Sequence, residues 1–136
     1  MYRGRHEIGG RCIEVAADDG TRNLLDLGMQ LVAPDGGNFP RGTPQRPKAE
    51  LTGEHVLPDV PGVFPHDPTA PDVAVIMLTH SHLDHLRLAH HAHLAIPACG
   101  KEGTIAVLDV GARSFPTPRC RRASRPRAQS VYLQSG

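Results

Sequence analysis

VAVIMLTHSHLDHL, residues 73–86, decides how this chain reads. VAVIML (73–78) is an unbroken apolar run with β-branched side chains, and it suits a strand buried on both faces. Directly behind it, three histidines and an aspartate crowd into six positions. His80 and His82 stand two apart at the strand exit, where both imidazoles can converge on one ion once the backbone turns. Asp84 and His85 follow at once and can face a second ion. Neutral imidazole and carboxylate suit zinc, and also manganese or iron where water completes the shell. In α/β sheets, sites collect at the carboxyl ends of strands. Isolated histidines in a chain with nine of them would read as a solvated loop. The order H-x-H-x-D-H right after a buried strand is far more specific.

Upstream, RCIEVAADDGTRNLLDLG (11–28) reads as a β-hairpin. Its first arm alternates, Asp19-Gly20 is a tight-turn signal, and NLLDLG returns as the second strand. Residues 29–72 hold nine prolines and read as a long, proline-stiffened loop over the surface, with one short helix near Lys48–His55. A loop of that length in a compact domain is usually functional or mobile. Downstream, a helix is expected from about Asp84 to Leu94, then a short strand in AIPAC (95–99), then a helix over Gly103–Val110. The order ββ-loop-β-α-β-α argues for an α/β layered fold.

The 136 residues allow one ordinary core. Gly and Pro together make about a fifth of the chain, which is loop-rich but short of a disordered composition. No apolar run reaches the ~18–20 residues of a membrane span, and MYRGRHEIGG lacks the apolar stretch of a signal peptide. A cytoplasmic protein with no membrane contact is expected. Cys12, Cys99 and Cys120 form no CxxC pair and argue against a disulfide framework or cysteine-held zinc. Cys12 and Cys99 read as small apolar strand residues. Charge is skewed: six arginines and no acid follow Asp109, so a net charge of +1 leaves the first 109 residues at −5. From residue 113 onward the Arg/Pro/Ser-rich sequence has no apolar period and reads as a basic disordered tail. Its arginines could neutralise nucleic-acid phosphates, although it has little aromatic interleaving.

THSHLDH (79–85) resembles the HxHxDH signature of the metallo-β-lactamase-fold hydrolases. EIGGRCIEVAADDGTRNLLDLG (7–28) is similar to the opening hairpin of the ribonuclease J-like and β-CASP-like branch, and LPDVPGVF (57–64) also fits that branch. The resemblance covers roughly residues 7–112. It implies the N-terminal part of an αββα sandwich and a two-metal site, most simply with Zn2+. His80 and His82 would hold the first metal. Asp84 and His85 would serve the second, with Asp84 also orienting the attacking water. Asp26 matches an aspartate that supports the metal loop from the neighbouring strand; read by itself, it is equally a strand-end turn residue. The implied substrate is RNA or another phosphodiester.

The family pattern needs a third histidine, a bridging aspartate and a last histidine downstream. This chain has no histidine past His93, and Asp109 is its only later aspartate. His90 and His93, three apart on the expected helix, read as solvated or partly packed rather than ligating. Relatives place a glycine two residues after the motif, where this chain has Arg87. These departures lead to the expectation of an incomplete sandwich, with a tail of the kind a shifted reading frame produces. Such a chain would be weakly active or inactive alone. The competing readings are a non-catalytic fragment with residual metal binding, or a nucleic-acid binder using the basic tail.

Overall fold

The computed structural model describes Tyr2 and residues 8–107. The basic tail and Asp109 lie outside the described residues, as do Cys120 and the end of the expected Gly103–Val110 helix; residues 102–107 are helical. The chain is mixed α/β. Strands β1 (Ile13–Ala16), β2 (Arg22–Leu25), β3 (Val75–Leu78) and β4 (Ala98–Gly100) form one sheet in the order β1-β2-β3-β4. β1 and β2 are antiparallel, whereas β2–β3 and β3–β4 are parallel. Among the described residues, short α-helices α1 (Lys48–Gly53) and α2 (Leu83–Leu86) precede the helical residues 102–107.

The hairpin turn follows from its residues. Gly20 takes a φ of 85°, and the Thr21 N–H donates to Asp19 Oδ1 at 2.8 Å. Arg22 ties the hairpin to the chain before β3 by pairing with Glu14 at 2.6 Å and Asp72 at 2.9 Å.

β3 is interior in the sheet, as its apolar run leads one to expect, but it is fully buried on one face only. Leu24, Ile76 and Ala98 are aligned across three strands and all are buried. The neighbouring row of Leu25, Met77 and Cys99 is only half-buried. Among the described residues, the covering layer packs against the first row.

Much of that layer comes from the proline-rich segment, which corrects its reading as a surface loop. Leu51, Val56, Leu57, Val60, Val63 and Phe64 all join the buried core. The prolines stop regular structure without stopping burial: apolar side chains between them fall inward from an irregular backbone. Burying such side chains stabilises by about 1.5–3 kcal/mol each, which is enough to hold a segment with little secondary structure.

The long helix expected over Asp84–Leu94 is also corrected. α2 stops after four residues, a separate 3-10 turn covers Ala89–His91, and His93 lies beyond it. Regular continuation would have the Leu88 N–H donate to the Asp84 carbonyl. Instead Leu88 donates to the Leu27 carbonyl at 3.0 Å, and the Asp84 carbonyl accepts from the Arg11 N–H at 3.1 Å. The His85 carbonyl accepts from the Leu27 N–H at 2.9 Å. Backbone at both ends of the hairpin thus takes the groups the helix needs to propagate.

His90 and His91 fasten the 3-10 turn to the proline-rich segment. Both Nε2–H groups donate to the Pro44 carbonyl, at 3.0 and 2.8 Å. Burial, reinforced by the neighbouring His90, pushes His91 down to about 4; burial also lowers His90. Unfolding restores an ordinary value near 6.5, so the unfolded chain binds protons that the folded one refuses. This contribution to stability is complete above pH ~6.5 and is lost as pH falls toward about 4. The urea midpoint should therefore drop between pH 7 and pH 5. His91→Gln keeps a donor and removes the titration, so it should flatten that drop; an unchanged slope would contradict the assignment.

Candidate metal centre

The site forms where β3 ends. Asp26, the first residue past β2, lies beside Thr79, the first past β3. It adopts a φ of 62° and is 2% exposed. That left-handed conformation is costly for most side chains and comparatively tolerable for aspartate. The turn aims the carboxylate across the strand ends. There it accepts from the Thr79 N–H at 2.8 Å, from the Thr79 hydroxyl at 2.8 Å and from His85 Nδ1 at 2.6 Å.

This network sets the His85 tautomer. An ionised Asp26 is an acceptor only, so Nδ1 carries a proton, and in the neutral ring the lone pair is on Nε2. Nε2 then sits 3.4 Å from Asp84 Oδ2, another acceptor. A proton on Nε2 or a metal ion between the two atoms would satisfy that pair. His80 is held in a similar way. Its Nδ1 is 3.0 Å from the Thr79 hydroxyl oxygen, which can accept that proton once its own hydrogen is donated to Asp26. The His80 Nε2 is then left as a ligand atom.

His80, His82 and Asp84 each offer one ligand atom, and these atoms all lie within 4.8 Å of one another. His80 and Asp84 are partly buried, whereas His82 is exposed. The rings of His80 and His82 meet edge to face with centroids 4.6 Å apart, and His80 lies against His85 at 3.7 Å. Zinc held at about 2.0–2.1 Å sets tetrahedral neighbours about 3.4 Å apart, so modest closure would bring this set onto one ion. The donor chemistry, two imidazoles and a carboxylate, fits a divalent cation. His85 stands outside that trio, turned to Asp26 on one side and facing Asp84 on the other. The Asp84 carboxylate therefore adjoins both the His80–His82 pair and His85. His90 and His91 are committed to Pro44, away from this cluster.

Two contributors went unremarked in the sequence. Thr79 reads there only as the residue before the first histidine, yet its hydroxyl touches Asp26, His80 and His85. Gly28 reads as the end of a strand, yet a Cβ there would lie 1.7 Å from the Asp84 carbonyl oxygen. Glycine permits the contact that seats α2. The sequence signal was available in both cases: a hydroxyl beside the motif, and a glycine two residues after the supporting aspartate.

Comparison with protein-family models and with curated protein sequences gives no match. Among the described residues, no helix is long and apolar enough to cross a membrane.

Proposed function

We propose that this chain carries part of the metal site of a metal-dependent hydrolase related to the metallo-β-lactamase-fold enzymes, directed at a phosphodiester such as RNA. The family reading rests on the THSHLDH motif and its hairpin. The observation that supports the chemistry best is the convergence of His80, His82 and Asp84 at the end of an interior strand, with His85 turned toward Asp84 by Asp26. Zinc is the first candidate ion, with manganese or iron as alternatives.

A divalent ion in such a site would polarise a substrate oxygen and lower the pKa of water to about 7. The protein's own groups do the rest. His80 and His82 present neutral nitrogens, Asp84 offers a carboxylate that can accept a proton from water, and Asp26 holds His85 in one tautomer. The motif provides four ligating side chains for the two ions of the family pattern. Each ion then has fewer protein ligands than the three of an ordinary catalytic zinc site.

Binding is accordingly expected to be weak. Structural zinc sites bind with about 10–16 kcal/mol; the chelator-treated chain should bind zinc with a Kd no tighter than about 1 μM, or ~8 kcal/mol. The His80→Ala, His82→Ala double variant should weaken binding at least tenfold in a calorimetric titration. With added zinc or manganese, hydrolysis of RNA or a bis-aryl phosphodiester by the 136-residue chain should stay near the His82→Ala background. Zinc binding untouched by the double substitution would defeat the proposed site. Ordinary enzymatic turnover abolished by His82→Ala would show instead a complete hydrolytic centre.

A further inference from the structure

We propose that the cleft between α1 and residues 58–68 is a carbonyl-binding site, in which the Lys48 amine condenses with a small uncharged aldehyde and the His66 imidazole carries the proton. The cleft is separate from the histidine motif and independent of the hydrolase reading. Its volume is about 240 Å³, and Pro58, Val60, Phe64 and Pro68 give it an apolar wall.

Lys48 opens α1, immediately after Pro47. Its Nζ stands 3.9 Å from the Phe64 ring centroid. It also contacts both ring nitrogens of His66, with Nε2 at 2.6 Å. An amine, a proton acceptor and an aromatic floor therefore meet in one concavity.

The charged groups facing the amine are Asp59, Asp67 and, when protonated, His91. Asp67 is already engaged, accepting from the Gly62 N–H at 2.5 Å and from the Thr69 hydroxyl at 2.7 Å. Burial pushes Lys48 down to about 8 despite the opposing pull of the two carboxylates. About a tenth of the amine is then neutral at pH 7, against roughly 0.04% for a lysine at the ordinary value near 10.4. Asp59 and Asp67 disfavour anionic ligands, and the apolar wall favours a neutral one, which is why an uncharged aldehyde fits better than a phosphate.

The reaction balances without an external oxidant or reductant. The neutral Nζ attacks the carbonyl carbon, a C–N bond forms, and the carbonyl π pair moves to oxygen. His66 accepts one proton from Nζ and delivers it to the alkoxide, giving a carbinolamine. It then relays the second Nζ proton to the hydroxyl as the nitrogen lone pair forms the C=N bond, the C–O bond breaks and water leaves. An imine remains on Lys48.

The sequence supplies an internal control, because Lys48 and Lys101 are its only lysines and Lys101 is exposed. The full chain would be incubated with benzaldehyde, trapped with cyanoborohydride and mapped by peptide mass spectrometry from pH 6 to pH 9. Lys48 should be labelled at least tenfold faster than Lys101 at pH 7. His66→Asn should lower the Lys48 rate at least threefold and leave Lys101 unchanged. Equal labelling of the two lysines at pH 7, or a Lys48 rate indifferent to His66→Asn, would overturn the proposal.

Discussion

Gly28→Ala should destabilise the chain by more than about 3 kcal/mol, among the largest effects a single methyl can have. The added Cβ would lie 1.7 Å from the Asp84 carbonyl oxygen, 2.3 Å from the Asp84 carbonyl carbon and 2.8 Å from the His85 nitrogen. All three are backbone atoms, so no side chain can swing aside. α2 itself would have to move, taking Asp84 and His85 with it. That shift would break the Leu27-to-His85 and Arg11-to-Asp84 backbone bonds that seat α2. Small domains have about 5–15 kcal/mol of stability in all, so zinc binding should fall together with the urea midpoint. Gly53→Ala is the control: a Cβ there meets nothing within 4 Å, and α1 should gain up to about 1 kcal/mol from the better helix former. A Gly28→Ala variant within about 0.5 kcal/mol of the parent would mean that α2 is not held this closely.

Asp26→Asn should weaken zinc binding by 10–100-fold, the usual effect of losing a group that orients a ligating histidine. Asparagine tolerates the left-handed backbone of Asp26, so the substitution tests charge and hydrogen bonding rather than strain. The carboxylate spreads three donors over two oxygens, Oδ1 taking the Thr79 N–H and Oδ2 the Thr79 hydroxyl and His85 Nδ1. The amide has one acceptor oxygen, so its NH2 must face a donor at the other position. A buried donor left unpaired costs about 1–3 kcal/mol. Asp26→Ala should lose more, because it removes both acceptors and adds about 1–2 kcal/mol of backbone strain. Paired zinc titrations and urea melts separate the two effects. Wild-type zinc affinity in Asp26→Asn would remove Asp26 from any role in the site.

The same carboxylate marks where reading the sequence stops being enough. In LLDLG, Asp26 could be a turn residue or a support for the motif, and nothing local separates the two. Its partners are 53 and 59 residues away in the chain. Parallel pairing of β2 with β3 closes that distance: the Asp26 N–H donates to the Met77 carbonyl at 2.9 Å, which brings the two strand exits together.

Sequence alone determined what is encoded in short range. The Asp19-Gly20 turn, the alternation around Val15 and the VAVIML run place β1, β2 and β3. The two-residue spacing of His80 and His82, followed by Asp84, assembles a ligand group because so short a stretch of chain has little freedom to separate them. Tertiary structure decided everything that depends on competition for partners. Whether a helix continues past Leu86 turned on the Arg11 and Leu27 amides capturing carbonyls that intrahelical donors would otherwise take. Whether the proline-rich segment lies outside or inside turned on an open sheet face that needed Leu51, Leu57 and Val63 to cover it. Local pattern carries no record of a distant hydrogen-bond donor or of an uncovered apolar row. Both effects appear only when the sheet forms.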